Sequence, residues 1–320
     1  MYYLGFDIGG TKCAVCLGES DGGEMRVAEK VKIPTEGAPY DVLGKLCAAA
    51  GEILAKRSLT FADVEAAGIS CGGPLSSARG VILSPPNLPG WDDVHITEIL
   101  EKRFGTKARL CNDANACALA EWRFGAGKGS KNMIFLTFGT GFGAGIILDG
   151  RLYSGTNGNA GEIGHIRCED YGPVGYGKIG SFEGFCSGSG IKQMGQALAL
   201  EKLQQGESVA YCKDMSDFEN ITAKSISEAA FLGDETALCV YRLSAHKLGM
   251  CASLLIDLLN PERIVIGSVF ARSEELFRDE MEKVIEKEAL SFASEVCKVV
   301  PAALGDEIGD FAAIAVAMMS

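Results

Sequence analysis

Short apolar blocks separated by glycine and polar turns run through the first third of the chain. Tyr2 to Asp7, Lys12 to Leu17 and Met25 to Ile33 have strand rather than helix length, so the pattern predicts two or three successive strands. Val42, Leu43, Leu46, Cys47, Ala50, Ile53 and Leu54 then recur at helical spacing and predict a helix from Tyr40 to Lys56. Ala66 to Ser70 reads as a buried strand running into the turn Cys71-Gly72-Gly73-Pro74, followed by a short strand at Val81-Ile82-Leu83. Pro85 to Trp91 is an ordered loop and Ile96 to Phe104 a helix. Ala108 to Cys111 is a strand that delivers Asn112-Asp113 to its end, and Ala114 to Phe124 a helix.

The pattern begins again at Met133: strand, glycine turn, strand, and a short hairpin at Asp149-Gly150. This is a weak internal repeat of two strands and a helix. Several helical segments lie between about Gly190 and Leu259, the longest from Thr236. Arg263 to Gly267 is a buried strand ending in a turn, Glu274 to Lys287 a helix, and Asp310 to Met319 a final helix. Strands alternating with helices, with polar loops at strand ends, predict an α/β fold whose ligands sit at the carboxyl ends of strands.

Two turns carry chemistry. Asp7-Ile8-Gly9-Gly10-Thr11-Lys12 follows the first strand, and Phe138-Gly139-Thr140-Gly141-Phe142-Gly143 follows Met133 to Leu136. Glycines let backbone N–H groups approach an anion closely, and Thr11 and Thr140 add hydroxyls. One glycine-rich turn is weak evidence, since hairpins need glycine anyway. Two, both containing Gly-Thr, suggest related halves closing on the phosphates of one nucleotide.

At 320 residues the chain can form two ordinary domains, and its formal charge of -12 has no basic stripe to offset it. That balance argues against nucleic acid as a partner. The chain enters a strand pattern at Tyr2 without a leader-like segment, and its longest C-terminal apolar run, Phe311 to Met319, is too short to span a bilayer. The expectation is a cytoplasmic protein with no membrane partner. Its twelve cysteines then read as small buried hydrophobes, and Cys13 and Cys16, three apart in a strand, face opposite sides.

In this order the motifs resemble the ROK family (repressors, open reading frames and sugar kinases) of the actin-like ATPase superfamily, over essentially the whole chain. The matching segments are Asp7 to Lys12, Asn87-Leu88-Pro89-Gly90-Trp91, Asn112-Asp113-Ala114-Asn115, Gly139 to Gly143, and Gly161-Glu162-Ile163-Gly164-His165. The resemblance implies two actin-like (ribonuclease H-like) α/β domains with a ligand cleft between them. The small domain would be residues 1–113 with a C-terminal helix, 305–320, returning to it, and the large one 114–304. It implies ATP and Mg2+ as cofactors, a sugar as substrate, and a homodimer.

Within that frame Asp113 is the general base for phosphoryl transfer to a sugar 6-hydroxyl. Its alternative is an N-cap carboxylate for the helix at Ala114. Asp7 would hold Mg2+ through water, and Lys12 is either a phosphate contact or a solvated strand residue. Gly9, Gly10, Thr11, Gly139, Thr140, Gly141 and Gly267 would cradle the nucleotide. Gly73, Asn87, Asn112, Glu162, His165 and Glu183 would surround the sugar, whose hydroxyls need paired donors and acceptors. His165 is one of three histidines; His95 and His246 read as structural.

Two departures stand out. The family's adenine-side glycine run is here Gly267-Ser268-Val269. The family's zinc motif, Cys-x-Cys-Gly-x-x-Gly-Cys-x-Glu, is here Val174 to Glu183, with Val174, Tyr176 and Ser181 at the cysteine positions. A structural zinc needs four ligands, mostly thiolates, so none is expected. Packing by Val174, Tyr176 and Phe182, with turns at Gly177 and Gly180, should shape the loop instead. The regulators of the family carry a helix-turn-helix ahead of the first phosphate loop. The chain starts at that loop, so a sugar kinase is expected before a sugar-responsive regulator or a silent sugar-binding protein.

Overall fold

The structure, a computed structural model, describes residues 1–319. Its first half comprises β1 (Tyr2–Ile8), β2 (Lys12–Asp21), β3 (Glu24–Pro34), α1 (Pro39–Lys56), β4 (Val64–Cys71), β5 (Leu75–Ser76), β6 (Val81–Ile82), α2 (Ile96–Phe104), β7 (Lys107–Asn112) and α3 (Asp113–Phe124). Three strands follow: β8 (Met133–Phe138), β9 (Phe142–Leu148) and β10 (Arg151–Tyr153). A small hairpin, β11 (Val174–Gly175) and β12 (Lys178–Ile179), leads into α4 (Phe182–Phe185), α5 (Gly188–Gln204), α6 (Ala223–Phe231) and α7 (Glu235–Leu259). The chain finishes with β13 (Arg263–Ile266), α8 (Val269–Arg272), α9 (Glu274–Glu288), α10 (Ser291–Ser294), β14 (Lys298–Pro301) and α11 (Ile308–Ala317).

Two five-stranded sheets have the same plan, β3-β2-β1-β4-β7 and β10-β9-β8-β13-β14. In each, the first three strands are antiparallel and the last two run parallel to the first. The repeat is therefore a whole sheet, longer than the two strands and a helix expected from the pattern. Its fifth member, β14, is not predicted because exposed Lys298 and half-buried Val299, Val300 and Pro301 carry little period. More than a hundred residues of loops, hairpin and helices also separate β10 from β13.

The helix that ends each half lies on the sheet of the other. Leaving the first sheet, α3 packs on β8 and β9, while α11 leaves the second sheet and packs on β1, β2 and β4. The two helices pack on each other, and Ala116, Ala120, Ala312 and Ala315 share a buried cluster with Met133, Phe135, Ile147 and Val265 of the second sheet. Glycine makes the approach possible. A methyl group on Gly68 would stand 2.1 Å from the Ala313 carbonyl oxygen, and one on Gly18 2.9 Å from Ile314. Glu121, fully buried in α3, ties the crossings together by accepting from the N–H groups of Ala126 at 2.7 Å, Ala303 at 3.2 Å and Leu304 at 2.9 Å.

Gly68→Ala should therefore destabilise the protein by about 1–3 kcal/mol or more, because the backbone of α11 has to move. Gly44 sits on the exposed face of α1 with open space around it, so Gly44→Ala should stabilise by about 0.5–1 kcal/mol. Urea unfolding of the pair checks the contrast.

Candidate active site

The polar turns collect at the carboxyl ends of the parallel strands, as sheet geometry dictates. In the first half, Asp7 stands near the end of β1, Gly72-Gly73 follow β4, and Asn112-Asp113 join β7 to α3. A methyl on Gly72 would sit 3.6 Å from the Asn87 amide nitrogen and 3.8 Å from Asp113 Oδ2, and one on Gly73 3.6 Å from Asn112 Nδ2. The absent side chains leave a floor on which three polar groups converge.

The capping question at Asp113 is answered by its neighbour. Asn112 is the N-cap of α3, its Oδ1 accepting from Ala114 N–H at 3.0 Å. Asp113 Oδ1 shares that N–H at 2.8 Å, which leaves Oδ2 over the glycine floor. Asp113 is open to the cleft, but protein crowds it, and lost hydration raises its carboxyl while its hydrogen bonds temper the rise.

Asp7 is pushed up to about 6, first by burial and then by the Asp310 and Asp113 carboxylates, with Lys30 and Lys32 opposing. Gly309 at the start of α11 lets the helix approach, since a methyl there would come within 3.0 Å of Asp7 Oδ2. Asp310, also in α11, is ion-paired to Lys30. Such crowding of carboxylates fits a divalent cation at Asp7.

Each glycine loop is held by an element that the sequence did not flag. Thr35 Oγ1 donates to the Gly9 carbonyl at 2.7 Å and Thr35 N–H to the Thr11 carbonyl at 3.0 Å. Gly10 lies so close to Asn87 that a methyl would meet its carbonyl oxygen at 2.2 Å. In the second loop, the first turn of α5 supplies Gly188 N–H to the Gly139 carbonyl at 2.8 Å and Ser189 Oγ to the Thr140 carbonyl at 2.8 Å. Thr11, Lys12 and Thr140 are exposed at the loops, and nothing ties Lys12 to a phosphate position. At the third turn, Ser268 follows buried Gly267 with φ 51°, a conformation that glycine adopts freely.

Glu183 does more than face a pocket. Its Oε2 accepts from Phe142 N–H at 3.0 Å beneath Gly141, so it fastens the second loop. Glu162 is the N-cap residue of the short helical turn Ile163–His165, which exposed His165 ends. The Glu162 carboxyl is raised by burial and then by the charges of Asp113 and Glu183, while His165 lowers it. One electrostatic neighbourhood thus joins Asp113 in the first half to Glu162, His165 and Glu183 in the second.

The loop carrying the altered cysteine positions departs from expectation. Phe182 is buried and Gly177 and Gly180 have positive φ as expected, but Val174 and Tyr176 are 41% and 76% exposed and pack little. Hydrogen bonds hold the loop instead. The Gln193 amide on α5 bonds both the N–H and the carbonyl of Val174, each at 2.9 Å. Ser181 Oγ caps α4 through Gly184 N–H at 3.2 Å, and Lys178 Nζ donates to the His165 carbonyl at 2.8 Å. The donors present do not fit zinc: the Cys168 thiol is turned to the Gly180 carbonyl and the buried Cys186 thiol to that of Ser244.

The fold and these paired loops define a protein of the actin-like ATPase superfamily. The chain belongs to the ROK family, which it matches over residues 3–319. It is 33% identical over 313 residues to a glucokinase of Thermotoga maritima, covering 96% of this chain and 94% of the relative. A ROK family glucokinase from Streptomyces griseus, solved in complex with glucose and AMPPNP, superposes with a TM-score of 0.75 at 30% identity and 99% coverage of both chains. The chain is also 32% identical over 228 residues to the DNA-binding transcriptional dual regulator NagC of Escherichia coli, spanning 70% of this chain and 54% of that protein.

Protein purified without chelator should carry well under one zinc per chain by elemental analysis and keep its melting temperature in EDTA. Stoichiometric zinc, or a large loss of stability with EDTA, contradicts the reading of the donor set.

Proposed function

We propose that the protein is an ATP-dependent sugar kinase transferring the γ-phosphoryl group of Mg-ATP to the 6-hydroxyl of an aldohexose, either glucose-like or an N-acetylated hexosamine. The observation that carries this is Asp113 Oδ2 placed over the Gly72-Gly73 floor beside Asn87 and Asn112. Asn87, Asn112, Glu162 and His165 bind the sugar hydroxyls, and Glu183 positions the second loop. Asp113 takes the proton of the 6-hydroxyl as that oxygen attacks, a task suited by its raised carboxyl. The turns at Gly9-Gly10-Thr11 and Gly139-Thr140-Gly141 cradle the phosphates, and Gly267 borders the adenine side. Lys12 adds a positive charge at the first loop. Asp7 would hold the cation through water, which supplies charge neutralisation on the phosphates.

The small domain is residues 1–113 with 305–320, and the large one 114–304, a division supported by α11 packing on the first sheet and α3 on the second. No helix among the described residues is long and apolar enough to cross a membrane, in keeping with a cytoplasmic location. The homodimer is carried from the family resemblance. A second reading, a silent sugar-binding or sugar-responsive regulatory protein, draws on the likeness to NagC. Hexose binding without ADP release from ATP would favour it.

Asp113→Ala should lower turnover by about a hundred- to ten-thousand-fold while sugar affinity changes little. Near-normal turnover in a coupled ADP-release assay over a hexose panel would reduce Asp113 to a helix-start carboxylate.

Catalysis needs Asp7 and Asp113 ionised, and both carboxyls are raised. Activity should therefore fall on acidification, with kcat/KM for Mg-ATP declining below about pH 6, the value for Asp7. An acid limb near the ordinary carboxylate value of ~4 would contradict the crowding described here.

A further inference from the structure

We propose that Tyr176 is a specificity-determining residue of the sugar site, an aromatic wall at its mouth; this rests on the sugar-kinase reading above. The hairpin β11–β12 pairs Val174 with Ile179 and Gly175 with Lys178, so Tyr176 and Gly177 form its two-residue turn. Both have positive φ, 42° and 74°. That geometry strongly prefers Asn, Asp or Gly at its first position, and a tyrosine there is strained. Burial does not offset the strain, because the side chain is 76% exposed. A large aromatic is thus held in an unfavourable backbone conformation without a core to fill.

Its surroundings point to a ligand. The Tyr176 ring meets that of His165 edge-on, with centroids 6.3 Å apart and planes at 77°. The hairpin touches both residues that organise this side of the cleft. Lys178 Nζ bonds the His165 carbonyl at 2.8 Å, and a methyl on Gly175 would stand 2.7 Å from Glu183 Cβ. Gln193 fixes the base of the hairpin through both backbone groups of Val174. The tip is therefore a braced arm that carries an aromatic face to the sugar-side histidine. Tyrosine has few torsions to immobilise and offers an apolar face together with a phenol. An aldohexose presents C–H groups on its ring faces and hydroxyls at its rim, which that side chain matches. Selection among hexoses then depends in part on how well each ring face lies against Tyr176, and not only on hydrogen bonds from Asn87, Asn112, Glu162 and His165.

The test uses the full chain and two variants. Asn suits the positive φ, so Tyr176→Asn should keep or raise the melting temperature. If Tyr176 forms the wall, that variant raises KM for the best hexose about tenfold or more and flattens preferences across the panel. Its KM for Mg-ATP and its kcat stay within about twofold. Tyr176→Phe keeps the ring and should stay within about threefold of wild type in sugar KM. An unchanged sugar KM and an unchanged hexose ranking in Tyr176→Asn overturn the proposal, and a Phe variant no better than the Asn variant overturns the ring-face contact. Calorimetric titration of glucose and N-acetylglucosamine separates this from the fate of the kinase reading. Without phosphoryl transfer, a fall in hexose affinity in Tyr176→Asn still supports the wall, and equal affinity in wild type and variant overturns it. A wild type that binds no hexose of the panel overturns the sugar reading and the wall together.

Discussion

One buried carboxylate ties together the two crossings between the sheets. The chain passes between its two sheets twice, through α3 and through the segment ahead of α11, and Glu121 binds N–H groups on both sides of that crossing. Glu121 accepts from three part-buried N–H groups on these segments. Gly125 makes room for it, as a methyl there would overlap Oε2 at 2.0 Å. Because α3 begins at Asp113 and α11 begins beside Asp7, the tie that aligns the crossings also aligns the two carboxylates that face the cleft. The helices pack together through the buried cluster they share, and Glu121 sets where the connecting segments lie against them.

Charge in the cleft is arranged to be unfinished. Asp7 is raised by burial together with Asp310 and Asp113, and Glu162 by burial together with Asp113 and Glu183. Lys30 neutralises Asp310 but only partly counters the effect at Asp7. Both carboxyls thus stand among like charges that the protein leaves only partly compensated.

The glycines of this protein serve two physical ends that look alike in one dimension. Gly9, Gly139 and their neighbours form the turns, whose carbonyls are held by Thr35 and Gly188. Gly10 and Gly141 also let other parts of the chain come into contact, the Asn87 backbone in one case and the Glu183 carboxylate in the other. The first glycine turn is thereby fastened to the Asn87 loop and the second to Glu183, so each turn is shaped by a distant segment. Glu183 is the clearest case, a side chain that braces the second loop through Phe142 N–H while its charge is felt at Glu162.

Periodicity made most of the fold legible. The strands from Tyr2 to Ile33, the helices at residues 40–56, 96–104 and 114–124, and the second glycine turn all lie where apolar spacing predicts them. These elements follow from local pattern, since burial of one face or one stripe dictates strand or helix. The family followed from the motifs in order. What the pattern could not carry was any bond joining distant segments: Thr35 on Gly9, Ser189 on Thr140, Gln193 on Val174, Glu121 on the second crossing. Val174 and Tyr176 read from sequence as packing residues, yet strand pairing and the Gln193 amide hold that loop and leave both exposed. Sequence by itself determined which segments become strands, helices and glycine turns, because those depend on neighbours a few residues away. Tertiary structure alone decided which turns meet and which side chains hold them, because a hydrogen bond between distant segments is specified by the packing of the whole chain.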